Sequence, residues 1–457
     1  MGWAVEEMKG ADLGDKRLKR RVITLLERLG DKPTLSIPAA CRGWAETQAA
    51  YRFFDNEKVS AEKVLAPHVE ATAERMRGEA VVLCITDTTE LDYSGKKDIR
   101  GLGPLTYEAQ RGMYLHASLA VTPQRLSLGI LDALFWARDP AGYGKSQEQA
   151  SRPIEEKESI RWLESYRTMC EHAARLPDTQ LVYVTDREGD IYEIFAESES
   201  RQGPKADWLI RSQTDRNLAD GGSLWKRVAR AESLGEVEFD LPASKDRPAR
   251  HVVQTLRLTR VRLKAPYRPG TKLPDVEVTV VYACEDKPPR GAERIEWILL
   301  TSLPVDSFEE AREILQWYLC RWQIEVFFRI LKSGCEVEQL QLEIVDRLEP
   351  AIALFLIVAW RTLFLTMLGR TCPDLPCDAV FATEEWQAVY IVAKRSKPPR
   401  KTPSLNQMIR LVATFGGFLD RKGDGEPGPK TLWIGLQRAR DFVIAVAATR
   451  SVDTTCV

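Results

Sequence analysis

Apolar residues along this chain recur at two different spacings. Between Asp15 and Leu29 they fall at Val22, Leu25, Leu26 and Leu29, three and four apart. That period predicts an amphipathic helix with Arg17, Lys19, Arg20 and Arg21 on its outer surface. A second helix is expected from Ala45 to Phe54, after a loop holding Pro33 and Pro38. Past about residue 70 short β-branched runs take over. Val81 to Thr86, Leu115 to Val121, Leu126 to Trp136 and Leu181 to Thr185 read as strands, with a helix from Glu155 to Arg175 between the last two. Trp208 to Ser212, Val252 to Leu263, Val276 to Cys284 and Trp297 to Thr301 are strand-like again, so a mostly antiparallel β region is expected over about 205–302. Helical spacing returns at Leu405 to Leu419 and Leu432 to Ala448, after a proline-rich entry at Pro373, Pro376 and Pro398. The chain therefore divides into a helical block (1–70), an α/β block (71–370) and a second helical block (371–457).

Composition narrows the class. A chain of 457 residues is long enough for two or three domains, and 44% hydrophobic with 29% charged residues fits a globular protein in water. The longest apolar run, Ala351 to Phe364, is interrupted by Arg361 and is too short to span a bilayer. The N-terminus carries charges where an export signal would be apolar, so none is expected. Nine cysteines without a Cys-x-x-Cys pair fit reduced thiols and argue against a zinc site, even around Cys372 and Cys377. His68, His116, His172 and His251 lie in unrelated contexts and suggest no nucleophilic triad. The net charge of −1 lacks the usual basic footprint of a nucleic-acid binder. Local clusters depart from it: five cations lie in Lys16 to Arg21 and five in Lys394 to Lys401. Such clusters neutralise phosphates locally or form a solvated face.

Two features carry candidate chemistry. Tyr318, Arg321, Glu325 and Lys332 are spaced by three, four and seven, which would gather a phenol, a guanidinium, a carboxylate and an ammonium on one helical face. The intervening residues, Trp322 among them, are mostly apolar and suggest a packed helix, so an intrahelical Arg–Glu pair in a core helix is an equal reading. The strands ending at Thr86 and Thr185 each deliver an aspartate, Asp87 and Asp186, where ligands collect in open α/β sheets. Each pattern is weak alone, because aspartate also caps helices and turns. Together, two strand-end aspartates and a helical glutamate make a hard-oxygen set suited to Mg²⁺ or Mn²⁺.

These residues resemble a known family. Asp87, Asp186 and Glu325 match the acidic triad of cut-and-paste bacterial transposases, and Tyr318, Arg321, Glu325 and Lys332 match the Y-R-E-K signature of the IS-four family, Tn-five type. Further counterparts occur in the same order: Leu13-Gly-Asp15, Ala50 to Phe53, Asp87-Thr-Thr, Asp186-Arg-Glu, Trp297 to Ser302 and Phe415 to Asp420. The resemblance implies a ribonuclease-H-like catalytic core with an inserted antiparallel β region, between a helical DNA-binding block and a helical dimerisation block. It implies a DNA transposase that cleaves transposon ends through a hairpin and joins 3′-hydroxyls to target DNA. Two Mg²⁺ ions per site, replaceable by Mn²⁺, would be held by Asp87, Asp186 and Glu325, with no organic cofactor. Tyr318, Arg321, Arg329, Lys332 and Arg211 would contact phosphates, and Trp297 would stack on a flipped base. Arg17, Lys19, Arg20 and Arg21 would meet the transposon end, although Leu18 stands where the family has a further arginine. The implied partners are double-stranded DNA and a second copy of the chain, in a bacterial cytoplasm at the nucleoid and at no membrane. A metal-dependent nuclease without strand transfer, or a catalytically silent DNA-binding regulator, are the alternatives.

Overall fold

Five helices open the chain: α1 (Trp3–Glu7), α2 (Lys16–Asp31), α3 (Ile37–Ala40), α4 (Trp44–Phe54) and α5 (Ala61–Met76). The computed structural model describes residues 2–96, 99–140, 152–241 and 248–455. Asp15 caps α2 by accepting the Arg17 N–H, and Val22, Leu25, Leu26 and Leu29 are its buried face, as the spacing predicts. Ser60 caps α5 in the same way through the Lys63 N–H. These helices do not form a detached module. Their apolar residues join one core with Leu83, Ile85 and Ala117 of the sheet. A buried polar link fastens the junction: His68 Nδ1 lies 2.7 Å from Glu7, and His68 Nε2 accepts the Ile130 N–H at 3.0 Å. The accepting Nε2 fixes the tautomer, so Nδ1–H donates to the carboxylate.

Ten strands form one sheet among the described residues: β1 (Val81–Asp92), β2 (Gly103–Pro104), β3 (Arg111–Val121), β4 (Ser127–Trp136), β5 (Gln180–Thr185), β6 (Asp207–Arg211), β7 (Ser233–Leu241), β8 (Arg250–Leu263), β9 (Val276–Cys284) and β10 (Glu296–Thr301). Strand β3 runs antiparallel to both β1 and β4, and β5 and β6 are then added parallel on the other side of β1. Strand β10 returns antiparallel to β6 and is followed outward by β9, β8 and β7. The expected antiparallel region is thus a continuation of the same sheet. Its first expected strand, around Trp208, is the parallel strand β6, because β6 pairs with β5 before β10 reaches it.

Helices cover both faces. α6 (Ile160–Arg175), α7 (Tyr192–Ser200) and α8 (Leu224–Ala229) pack with Val82, Cys84 and Tyr183 on one side. The other side carries the N-terminal helices together with α9 (Phe308–Leu319), α10 (Trp322–Arg329) and α11 (Val345–Thr371). Alternation along β1 sends Leu83, Ile85 and Asp87 to that second side, toward α10. By length and composition α11 could cross a membrane, but 89% of its apolar window is buried inside the protein. Three further helices, α12 (Thr383–Lys394), α13 (Leu405–Phe415) and α14 (Pro429–Thr455), close over the far end of α11 around Phe381, Trp386, Met408 and Val412.

Candidate active site and DNA-binding face

Asp87 lies in the middle of β1, not at its end. β1 continues to Asp92 because β3 keeps pairing with it, whereas its parallel pairing with β5 stops at Ile85 opposite Val184. The two strands part there, and the gap opens beside Asp87. At the end of β5 the chain turns: Asp186 caps the short helical turn Arg187–Gly189 and accepts the Glu188 N–H. Burial pushes the Asp87 carboxyl up to about 7, the neighbouring Asp186 charge adds to the rise, and Arg321 opposes it. Burial and the same Asp186 also raise Glu188.

The stretch from Tyr318 to Lys332 is not one helix. Helix α9 ends at Leu319, the chain tightens through Cys320 and Arg321, where the Arg321 N–H bonds the Tyr318 carbonyl, and α10 starts at Trp322. Beyond Arg329 the turn widens at Ile330–Gly334, closed by the Cys335 N–H on the Ile330 carbonyl. The expected four-residue face is therefore divided. Arg321 turns inward, donating to Asp87 at 3.0 Å and to Glu325 at 2.6 Å. Tyr318 is buried beside Arg321, Arg211 and Asp186, and burial raises its phenol. Lys332 instead meets Glu338 at 3.8 Å, whose carboxylate also accepts the Asp92 N–H. Asp92 is five residues beyond Asp87 on β1, roughly 16 Å along the strand. The outward face of α10 carries Glu325 and Arg329, with Trp322 52% exposed. The apolar spacing suggests a packed Trp322, but the break at Arg321 turns it outward. Residues 322, 325 and 329 recur at helical spacing, so the face is readable once the helix start is known.

Trp297 on β10 is half-buried in a row of rings. Its centroid lies 6.3 Å from Phe239 and 6.4 Å from Tyr318. Arg211 donates to the Glu296 carbonyl at 3.2 Å and so stays beside that row. Behind Asp87, on the opposite face of β1, Thr86 bonds Ser118 at 2.7 Å and Thr88 bonds His116 at 2.8 Å. These cross-strand bonds hold the pleat that aims Asp87, and the Thr88 N–H donates to its carboxylate at 2.8 Å.

The donor set is all carboxylate oxygen, which fits a hard divalent cation. Among the described residues no three His, Cys, Asp or Glu close together as a metal-holding group, and the Arg321 guanidinium stands between Asp87 and Glu325. The burial of Asp87 also predicts a pH effect. Its ordinary value is 3.8 and its folded value about 7, so the folded chain holds the extra proton between them. The stability contribution is full below 3.8 and is lost as pH rises through about 7, with an upper bound of roughly 4 kcal/mol. In metal-free buffer, Asp87→Asn should melt above the native protein at pH about 8.5 and level with it near pH about 4. Thermal melts at both values check this, and an equal gap at both would count against it.

A second surface lies on the N-terminal helices. Arg17 is exposed but pairs with Asp15 at 3.0 Å, and the Lys19 ammonium donates to the Lys9 carbonyl at 2.6 Å. Arg20 is exposed, and Arg21 is half-buried near Cys41. The spacing of apolar residues on α2 does not reveal the face of α4. Trp44 is 74% exposed at its start, and Tyr51 and Arg52 are exposed at its end, with Gln48 between. Residues 44, 48, 51 and 52 share one helical face, a spacing visible in the sequence. Glu46 pins the start of α4, accepting from Arg28 at 3.1 Å and from the Arg42 N–H at 2.5 Å.

Comparison with known families bears on both ends of the chain. Residues 1–59 match the family model described as transposase DNA-binding, and residues 357–456 match the one described as the transposase Tn5 dimerisation domain. The chain belongs to the Tn5-type transposases. Helices α1 to α4 of this transposase lie within the DNA-binding match, so DNA is its partner through that block. The dimerisation match begins inside α11 and runs through α14, which makes a second copy the other partner. Asp87, Asp186 and Glu325 lie between the two matched segments.

Proposed function

We propose that this transposase cleaves DNA at the ends of a mobile element by metal-dependent phosphoryl transfer, through a hairpin, and joins the freed 3′-hydroxyls to target DNA. The observation that carries this is the meeting of Asp87 with Asp186 at the point where β1 and β5 part, with Glu325 tied to the same place through Arg321. The strand order, three antiparallel strands followed by two parallel ones, supports a ribonuclease-H-like core. Asp87, Asp186 and Glu325 would hold Mg²⁺, with Mn²⁺ as a substitute. Such ions, when bound, would supply activation of the attacking oxygen and charge stabilisation of the leaving one. Arg321 offers a planar fork to a phosphate, and Arg211 and the exposed Arg329 add charge on either side. Tyr318 can donate its hydroxyl to a phosphate oxygen. The half-buried Trp297 gives a flipped base a stacking surface worth roughly 1–3 kcal/mol. Lys332, turned to Glu338, would reach phosphates farther along the duplex.

The dimerisation match favours transposition over simple cutting, which needs no paired ends. A protein acting on chromosomal DNA in this way would work at the bacterial nucleoid. A duplex carrying the sequence that brackets this gene tests the whole reading. Incubation with Mg²⁺ should give a 3′-hydroxyl nick, then a hairpin, then insertion into a supercoiled plasmid. Uniform digestion of the duplex, or binding with no cleavage, would replace this reading with one of the alternatives.

The N-terminal surface gives a separate prediction. The side chains of Arg42 and Arg52 are exposed and form no close ion pair among the described residues, Arg42 meeting Glu46 through its backbone N–H. Replacing both with Ala should weaken binding of that duplex and lower the log–log salt slope by roughly 0.9 per lost phosphate contact. Anisotropy titrations across salt concentrations measure the slope. An unchanged slope would mean that these two cations lie on a merely solvated face.

A further inference from the structure

Arg321 engages two carboxylates of the proposed triad at once. One terminal nitrogen donates to Asp87 Oδ2 at 3.0 Å and the other to Glu325 Oε1 at 2.6 Å. The side chain is only 10% exposed, and its Nε is buried with no partner. A cation so placed neutralises the oxygens that a divalent ion would need, and the same lone pairs cannot serve both. It also cannot simply leave, because a buried Asp87 stripped of its counter-charge is costly. Something must take the guanidinium while another cation takes the carboxylates. A phosphodiester is the natural taker, since its oxygens match the planar fork and the idle Nε is one free donor to begin the exchange. Tyr318 and Arg211 flank this place and would hold the same phosphate.

We infer that Arg321 is a stand-in cation that makes divalent-metal loading conditional on DNA. A backbone phosphate draws the guanidinium from Asp87 and Glu325, and both carboxylates then become available to the metal. Off DNA the site stays closed to metal, so the protein does not carry a loaded nuclease through the cell. The exchange breaks no covalent bond and needs no co-reactant beyond the phosphate and the ion. It rests on Asp87, Asp186 and Glu325 being the metal-holding triad proposed above.

The test is Mn²⁺ binding by the full-length protein, followed by electron paramagnetic resonance, with and without the end duplex. All proteins are compared in the same buffer at one pH, so that only the guanidinium and the duplex differ between samples. Glu325→Gln with the duplex measures the Mn²⁺ that DNA binds by itself. For the native protein the duplex should tighten Mn²⁺ binding about tenfold or more, the equivalent of releasing one charge-assisted hydrogen bond. Arg321→Gln should bind Mn²⁺ about tenfold more tightly than native protein without DNA, and the duplex should add little. Arg321→Lys, whose single ammonium cannot bridge both carboxylates, should fall between them and covers the case where the Gln variant folds poorly. Equal native binding with and without DNA would overturn the inference, as would an Arg321→Gln protein that still requires DNA. Binding that never exceeds the Glu325→Gln background in any protein would overturn the metal reading itself, a separable result.

Discussion

Alanine in place of Asp87, Asp186 or Glu325 is expected to abolish cleavage of end DNA while leaving end binding within about twofold of native. DNA binding belongs to the N-terminal block, which the DNA-binding match covers and which lies outside the triad. In the proposed mechanism charge must be stabilised on both sides of the reacting phosphorus, and one missing carboxylate would remove part of that stabilisation. Losing a single preorganised stabilising group costs roughly 10²–10³ in rate elsewhere. Losing a metal-holding carboxylate should cost on the order of 10³-fold or more, about 4 kcal/mol of barrier. Unfolding is not the expected cause for Asp87→Ala, because burial already makes the ionised carboxylate a burden near neutral pH. Gel shifts and cleavage run on one preparation separate the two effects. A variant that still nicks the duplex with Mg²⁺ would remove its carboxylate from the mechanism.

Much of the frame is legible in the sequence because it rests on local rules. Val22, Leu25, Leu26 and Leu29 give α2 its face, and runs such as Leu181 to Thr185 give the strands. The aspartates are legible as strand-borne acids, but the place of Asp87 within β1 is not. That depends on β3 outlasting β5 as a partner, a long-range pairing that no local pattern encodes. The same holds for β6, whose parallel neighbour lies in another part of the chain. Spacing brings Tyr318, Arg321 and Glu325 to one neighbourhood correctly. It does not reveal the tightened turn at Arg321 or the widened one at Ile330, each of which rotates the residues beyond it about the helix axis. Lys332 and Trp322 consequently lie where a single continuous helix would not have put them. The motif alone presents Arg321 as a phosphate clamp; its hold on Asp87 emerges only when residues 234 positions apart meet.

The C-terminal helices are expected to pair two chains, and the structure separates their contributions. Helix α13 faces inward: Leu405, Met408, Ile409 and Val412 are buried against α11 and α14. Its remaining apolar residues, Leu411 and Phe415, are half-buried. Helix α14 differs, because beyond Ala439 its described side chains are no longer buried and Ile444 is 47% exposed on a stretch that includes Ala445, Val446 and Ala447. Cutting the chain after residue 370 would strip the cover from Leu365 and Leu368 and would mix misfolding with lost pairing. A point change is cleaner. In a two-fold interface each substitution acts twice. Burying one isoleucine is worth about 1.5–3 kcal/mol, so Ile444→Asp should remove roughly 3–6 kcal/mol before the cost of burying two carboxylates. That weakens pairing by at least about a hundredfold. The variant should melt like native protein, since Ile444 lies outside the apolar core, and should still bind a single end. Light scattering with the end duplex should then give one chain on one duplex where native protein gives a paired complex, and strand transfer should fail. Paired complexes of Ile444→Asp that complete strand transfer would place the dimer contact elsewhere.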